Sequence, residues 1–103
     1  MITVSVMYPR RDGARFDMDY YCGTHMKMVR ELGGSRVQRI VVERGVGGND
    51  NAPPYAVIGR IYVGSIEDWQ AVIKEHGRAF MADLPNFTDI EPRIQVSEVA
   101  AEL

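Results

Sequence analysis

Hydrophobic and polar residues alternate over the first eight positions of the chain. Ile2 to Tyr8 places an apolar side chain at every second residue, which is the pattern of a strand with one buried face. Three later segments are rich in branched and aromatic residues and are bounded by turn residues: Val37 to Arg44, Tyr55 to Val63 and Ile90 to Val99. The pattern therefore predicts four strands.

Between the first two strands, the apolar residues recur at helical spacing. With Asp17 as N-cap and about 100° per residue, one face of the predicted helix carries Met18, Tyr21, Cys22, His25, Met28, Val29 and Leu32. Phe16 before the cap and Tyr21 in the first turn are spaced for a hydrophobic staple. The helix is expected to end at Gly33-Gly34, a common C-terminal signal.

A second helix is predicted to begin after Ser65, a favourable N-cap residue. Its inner face carries Ile66, Trp69, Val72, Ile73 and His76. Gly77 is expected to break this helix before a further turn through Phe80, because glycine is a poor helix former. A ten-residue loop, 45–54, separates the second and third strands.

The predicted order is therefore β-α-β-β-α-β, which is typical of an α+β ferredoxin-like sandwich with an antiparallel sheet and both helices on one face. The length of the chain predicts one domain over residues 1–103. The opposite face of the sheet carries a mixed set: Thr3, Ser5, Met7, Arg60, Tyr62, Arg93, Gln95 and Ser97. This face is either solvated or paired with the same face of a second copy, and we favour a homodimer in which two sheets form an α/β barrel.

Composition and charge narrow the functional classes. Fourteen acidic and twelve scattered basic residues give a net charge of -2, which argues against a nucleic-acid partner. No apolar run approaches the roughly 18 residues of a membrane span, and the N-terminus has the pattern of a strand instead of a secretion signal, so a cytoplasmic protein is predicted. The single cysteine, Cys22, excludes an intramolecular disulfide and is expected to be a small core residue.

The two histidines are the strongest candidates for chemistry. His25 and His76 are both predicted on inner helix faces, where an imidazole must be hydrogen-bonded by the protein or used on a ligand. A neutral imidazole accepts a proton from an activated carbon or a phenol. Four tyrosines are candidates to line the same space, although each also has an ordinary packing role: Tyr8, Tyr21, Tyr55 and Tyr62.

Metal and phosphate sites are not supported by the residue spacing. A metal site would need His25 and His76 to be joined by a carboxylate such as Asp83 or Glu75, and no short ligand spacing is present. The glycine-rich stretch 45–48 does not lie between a strand and a helix, so it lacks the geometry that cradles phosphate. We predict no metal and no cofactor.

Three segments resemble the EthD family, whose members are small proteins associated with ethyl tert-butyl ether degradation and related oxidative pathways. They are the Phe16-Asp17-x-Asp19-Tyr20-Tyr21-x-x-Thr24-His25-Met26 string, Pro54-Tyr55, and Asp83-Leu-Pro-Asn-Phe-Thr-Asp-Ile90. The resemblance runs over nearly the whole chain and implies a dimeric α/β barrel. Relatives of that barrel include cofactor-free monooxygenases, muconolactone isomerases and haem-degrading enzymes, so the resemblance does not select one reaction.

Two hypotheses of function follow. In the first, the protein binds a small, largely apolar organic molecule, and His25 acts as a general base in a cofactor-free oxidation or isomerisation. The residues expected to line the site are Tyr8, Tyr21, Tyr55, Tyr62 and His76. In the second, the protein is a non-catalytic binding or accessory protein for a separate oxygenase system.

Overall fold

The computed structural model describes residues 1–103 and has the predicted β-α-β-β-α-β order. The four strands are β1 (Ile2–Pro9), β2 (Val37–Arg44), β3 (Tyr55–Val63) and β4 (Arg93–Glu98). The first helix, α1, covers residues 18–33, and the second, α2, is Ile66–Asp83. Short 3-10 turns follow both helices, at Gly34–Arg36 and Leu84–Asn86.

The strands form one antiparallel sheet in the order β2-β3-β1-β4. In β1, one of the two central strands, Val4 lies opposite Ile61 of β3 and Val96 of β4. These side chains are on the face of the sheet that the helices cover. The next residue, Ser5, lies opposite Arg60 and Gln95 on the other face. Because side chains alternate along a strand, this register confirms that the mixed set of residues predicted for the second face lies on the side of the sheet away from the helices.

Helix α1 is not the regular helix that the spacing predicts. An α-helical turn, Met18–Tyr20, is followed by a π-helical turn, Tyr21–His25, and then by α-helix Met26–Gly33. The Met26 N–H donates to the carbonyl of Tyr21, five residues earlier. This wider turn lets Tyr21, His25 and Met26 all face the core. It also leaves Cys22 exposed, so the prediction that Cys22 is a core residue is wrong.

Both ends of α1 have the predicted signals. The Asp17 carboxylate accepts a hydrogen bond of 3.0 Å from the Tyr20 N–H, as an N-cap does. The rings of Phe16 and Tyr21 pack edge to face with centroids 5.0 Å apart, which confirms the predicted staple. At the other end Gly34 has φ 59° and ψ −135°, a backbone conformation that glycine adopts without a steric penalty.

Helix α2 begins as predicted, because the Ser65 hydroxyl accepts a hydrogen bond of 3.1 Å from the Asp68 N–H. It then runs without interruption to Asp83, so the predicted break at Gly77 is wrong. A helical glycine costs about 1 kcal/mol relative to alanine, which is small beside the burial of Trp69, Val72 and Phe80 on this helix. Neither helix has the length and apolarity that crossing a membrane requires.

The last strand begins at Arg93 instead of the predicted Ile90. Pro92 has no N–H to donate to a neighbouring strand, which limits pairing before this point. The preceding residues make other contacts: the Ile90 N–H donates to the Thr88 hydroxyl at 3.0 Å, and Thr88 forms an isolated bridge with Phe16. The segment before β4 is therefore attached to the start of α1.

Hydrogen bonds between residues 15–17 and residues 87–89 make this attachment, and the three shortest are as follows. The Asp17 N–H donates to the Phe87 carbonyl at 2.8 Å, the Thr88 hydroxyl donates to the Arg15 carbonyl at 2.8 Å, and the Arg15 N–H donates to the Asp89 carboxylate at 2.9 Å. They hold the fully buried Phe87 ring against the first turns of α1. The side chains around His25 are fixed by this contact.

Candidate functional site

A cavity of about 530 Å³ lies between the two helices and the sheet. Twelve of its sixteen lining residues are hydrophobic, and the other four are His25, Gly77, Arg78 and Pro92. Its hydrophobic wall comes from both helices, the sheet and the turn after α2: Val6, Tyr8, Tyr21, Met26, Val29, Ile61, Trp69, Ile73, Phe80, Met81, Leu84 and Ile94. Met81 and Ile94 are 59% and 54% exposed, so the cavity opens between α2 and β4. Its size and lining suit a small apolar molecule.

His25 lies in the wall of this cavity with only 6% of its surface exposed. Its ring stacks on Tyr21, with centroids 5.7 Å apart and an interplanar angle of 15°. The Phe87 ring lies 4.7 Å away on centroids. His25 Nδ1 is 2.9 Å from the carboxylate of Asp83, the last residue of α2. Packing and this bond together fix the orientation of the imidazole.

Asp83 is itself held by two further donors. The Tyr20 hydroxyl donates to it at 2.7 Å and the Asn86 side-chain amide at 2.8 Å. Desolvation raises the pKa of Asp83, but the hydrogen bonds from Asn86, Tyr20 and His25 lower it more, so the pKa lies below its ordinary value. The stabilising effect of these bonds is present at neutral pH and is lost as the pH falls below about 3.9 through the lowered pKa.

An ionised Asp83 determines which nitrogen of His25 carries the proton. Because the carboxylate only accepts hydrogen bonds, a neutral imidazole places its proton on Nδ1 and leaves a lone pair on Nε2. Nε2 has no hydrogen-bond partner within the protein. The side chains thus form a dyad of the kind that positions a histidine to accept a proton from a bound molecule.

Tyr8 and Tyr21 line the same cavity as His25 and are almost completely buried. Burial raises the pKa of Tyr8 to about 12, although the nearby Tyr21 phenol lowers it in part. Burial also raises the pKa of Tyr21. Both phenols therefore stay protonated at neutral pH. Although their rings contact edge to face at 5.6 Å, the Tyr21 hydroxyl has no hydrogen-bond partner of good geometry. It lies directly over Gly59 of β3, where any side chain would overlap it.

The other three predicted site residues do not line this cavity. Tyr62 is on the opposite face of the sheet, because it alternates with the buried Ile61 and Val63, and the Arg39 guanidinium lies 5.3 Å from its ring centroid. Tyr55 begins β3 opposite Pro9, outside the cavity. His76 is half-buried on α2, with its ring 6.3 Å from Phe80 and Nε2 3.6 Å from the Glu75 carboxylate. The two histidines therefore do not share the cavity.

Asp83 and Tyr20 are the site residues that sequence reasoning missed. From the sequence, Asp83 is considered only as a possible metal ligand. In the structure, no group of three or more His, Cys, Asp or Glu residues is placed to bind a metal ion. One signal for Asp83 was available. A negative charge in the last turn of a helix is disfavoured by the helix dipole, so an acid there suggests another role.

Comparisons with known proteins agree on one family. The EthD domain model matches residues 14–91. The crystal structure of an EthD-like protein from Ralstonia eutropha JMP134 has a TM-score of 0.92 and 39% identity, over 99% of this chain and 94% of that chain. An EthD family protein from Bacillus halodurans C-125 has a TM-score of 0.74, over 95% of this chain and 97% of that chain, and at 18% identity it supports the fold alone. No curated protein matches the chain.

Proposed function

Because the chain belongs to the EthD domain family, we propose that it binds a small, largely apolar organic molecule in the cavity and that His25 removes a proton from it. The observation that carries this proposal is the 2.9 Å bond between His25 Nδ1 and Asp83 in the wall of an apolar cavity. The bond leaves Nε2 as the basic atom of the ring, available to accept a proton from a ligand. In this role the protein acts in the oxidative degradation or modification of organic compounds.

The proposed chemistry is general-base catalysis without a cofactor. Nε2 takes a proton from a carbon next to a carbonyl group or from a phenol, and the ionised Asp83 stabilises the imidazolium that forms. Return of the proton to a different atom gives an isomerisation, and transfer of electrons from the deprotonated molecule to O₂ gives an oxidation. The apolar wall excludes water, which would otherwise compete for the proton.

The test uses 1-tetralone, a compact apolar ketone with exchangeable hydrogens next to its carbonyl group. We expect the protein to accelerate exchange of these hydrogens in D₂O, measured by proton NMR. Asp83→Asn should lower the exchange rate about tenfold to a hundredfold, because the amide no longer fixes the imidazole tautomer or stabilises its charge, and the affinity for the ketone should stay within about twofold.

Asp19→Asn is the matched control, since Asp19 is an exposed acid in the first turn of the same helix as His25. Equal exchange rates in wild type and Asp83→Asn would contradict the dyad. A ketone that binds to the wild-type protein without accelerated exchange would favour the non-catalytic accessory role.

We also propose that two copies pair through the sheet face opposite the helices. Arg60 on this face is already oriented, 3.0 Å from the Glu43 carboxylate and 3.0 Å from the Ser5 hydroxyl. Around it lie half-buried apolar side chains, Met7 and Ile58 among them. A face that combines apolar side chains with oriented charges is suited to a symmetric contact.

Light scattering at micromolar concentration should therefore give twice the 11.6 kDa chain mass. Introducing a charge on a central strand of this face, as in Ile58→Asp on β3, should shift the mass toward that of one chain, while Lys74→Asp on the outer surface of α2 should not. A mass of one chain for the wild type across this concentration range would contradict the pairing.

A further inference from the structure

The wall of the cavity carries a positive charge and no negative charge. Among its sixteen lining residues, Arg78 is the one side chain that is always charged, and no aspartate or glutamate is included. Asp83 lies behind His25, hydrogen-bonded to Nδ1, and does not line the cavity. A bound molecule therefore meets positive charge and no negative charge.

Arg78 is available for a ligand. It is exposed at the open side of the cavity, one turn along α2 from Met81, and no carboxylate pairs with it. Four other arginines form ion pairs within the protein: Arg10, Arg11, Arg36 and Arg60. Of the arginines without an ion pair, Arg78 alone lines the cavity. A free guanidinium offers a planar set of donors that matches two oxygens of a carboxylate.

The neighbouring depression is a poorer place for an anion. It shares Met81, Leu84, Pro92 and Ile94 with the cavity, but its wall carries two acids, Asp89 and Glu91. Its only arginine, Arg15, donates to the Pro85 carbonyl and lies next to Asp89. Negative charge on a ligand is therefore favoured on the Arg78 side.

Building on the proposed function, we infer that the ligand is an amphiphilic organic anion, with its apolar body in the cavity and its carboxylate paired with Arg78. Arg78 lies five positions before Asp83 on α2, roughly 7.5 Å along the helix axis at 1.5 Å per residue.

The test compares octanoate with octanamide, which have nearly the same shape and differ in charge. Trp69, the single tryptophan of the chain, lines the cavity, so its fluorescence reports binding of these non-absorbing probes. We expect octanoate to bind about fivefold more tightly than octanamide, the effect of one solvent-exposed ion pair, and the difference to shrink at high salt. Arg78→Gln should remove the difference by weakening octanoate alone, and Arg78→Lys should restore part of it.

Lys74→Gln removes the same charge from the same helix without changing the cavity wall. If Lys74→Gln weakens octanoate as much as Arg78→Gln, the effect is one of overall charge and the inference is wrong. Equal binding of the two probes to the wild type also overturns it, while leaving the proposed function intact. No binding of either probe would contradict both this inference and the apolar cavity site on which it rests.

Discussion

Replacing His25 with glutamine should lower the exchange rate of 1-tetralone by about 10²- to 10⁴-fold, the usual contribution of a general base. The glutamine amide can still donate to Asp83, so the contact with the end of α2 is retained. Its side chain has no basic lone pair comparable with that of Nε2. We therefore expect the rate to fall while the affinity for the ketone changes by no more than about twofold.

His76→Gln is the control for this result, because His76 is the other histidine of the chain and lies outside the cavity lining. Its exchange rate should remain within about twofold of the wild-type rate. Equal losses in the two variants would mean that the effect is not specific to His25, which contradicts its role as the base. A loss of affinity in His25→Gln that matches the loss of rate would assign His25 to ligand binding instead of catalysis.

The strands and most of the outline of the fold were predictable because they depend on local patterns. Alternation over residues 2–8 identifies β1, and the caps at Asp17 and Ser65 identify the helix starts within one turn. The same alternation rule also applies to Tyr62. Its neighbours Ile61 and Val63 face the helices, so Tyr62 faces away from the cavity, and a stricter use of the pattern would have excluded it.

The π-helical turn was not predictable from spacing. A regular helix presents either Cys22 or Met26 beside Tyr21 and His25, and the sequence pattern favours Cys22. The structure buries Met26 because its methyl group packs over Gly59, a contact with a strand more than thirty residues away. Periodicity along one segment carries no information about such a contact.

The His25–Asp83 pair has the same origin. The two residues are 58 positions apart, and the hydrogen bonds that attach residues 87–89 to the start of α1 fix the approach of the two helix ends. The sequence identifies His25 as a buried imidazole that needs a partner. Only the packing of the helices identifies that partner.

Replacing Gly59 with alanine should destabilise the protein by about 1–3 kcal/mol, the usual cost of overpacking a core. The added Cβ would overlap the Tyr21 hydroxyl and lie 2.6 Å from the Met26 methyl group. Alanine otherwise suits a strand better than glycine, so a loss of stability reports the crowding itself. Urea unfolding followed by Trp69 fluorescence measures the change in free energy.

The Tyr21→Phe variant tests whether the loss of stability comes from this crowding or from any substitution in β3. Because the Tyr21 hydroxyl has no hydrogen-bond partner, its removal alone should change the free energy of unfolding by less than about 1 kcal/mol. In the double variant the shorter side chain removes the closest overlap, that with the Tyr21 hydroxyl, so the two changes should be non-additive by about 1 kcal/mol or more. Gly23→Ala is the control, since a Cβ there meets nothing within 4 Å and should leave the stability unchanged or slightly raised. Additive effects at positions 21 and 59 would mean that the phenol does not depend on the glycine beneath it, and that the stacking of Tyr21 on His25 is held from elsewhere.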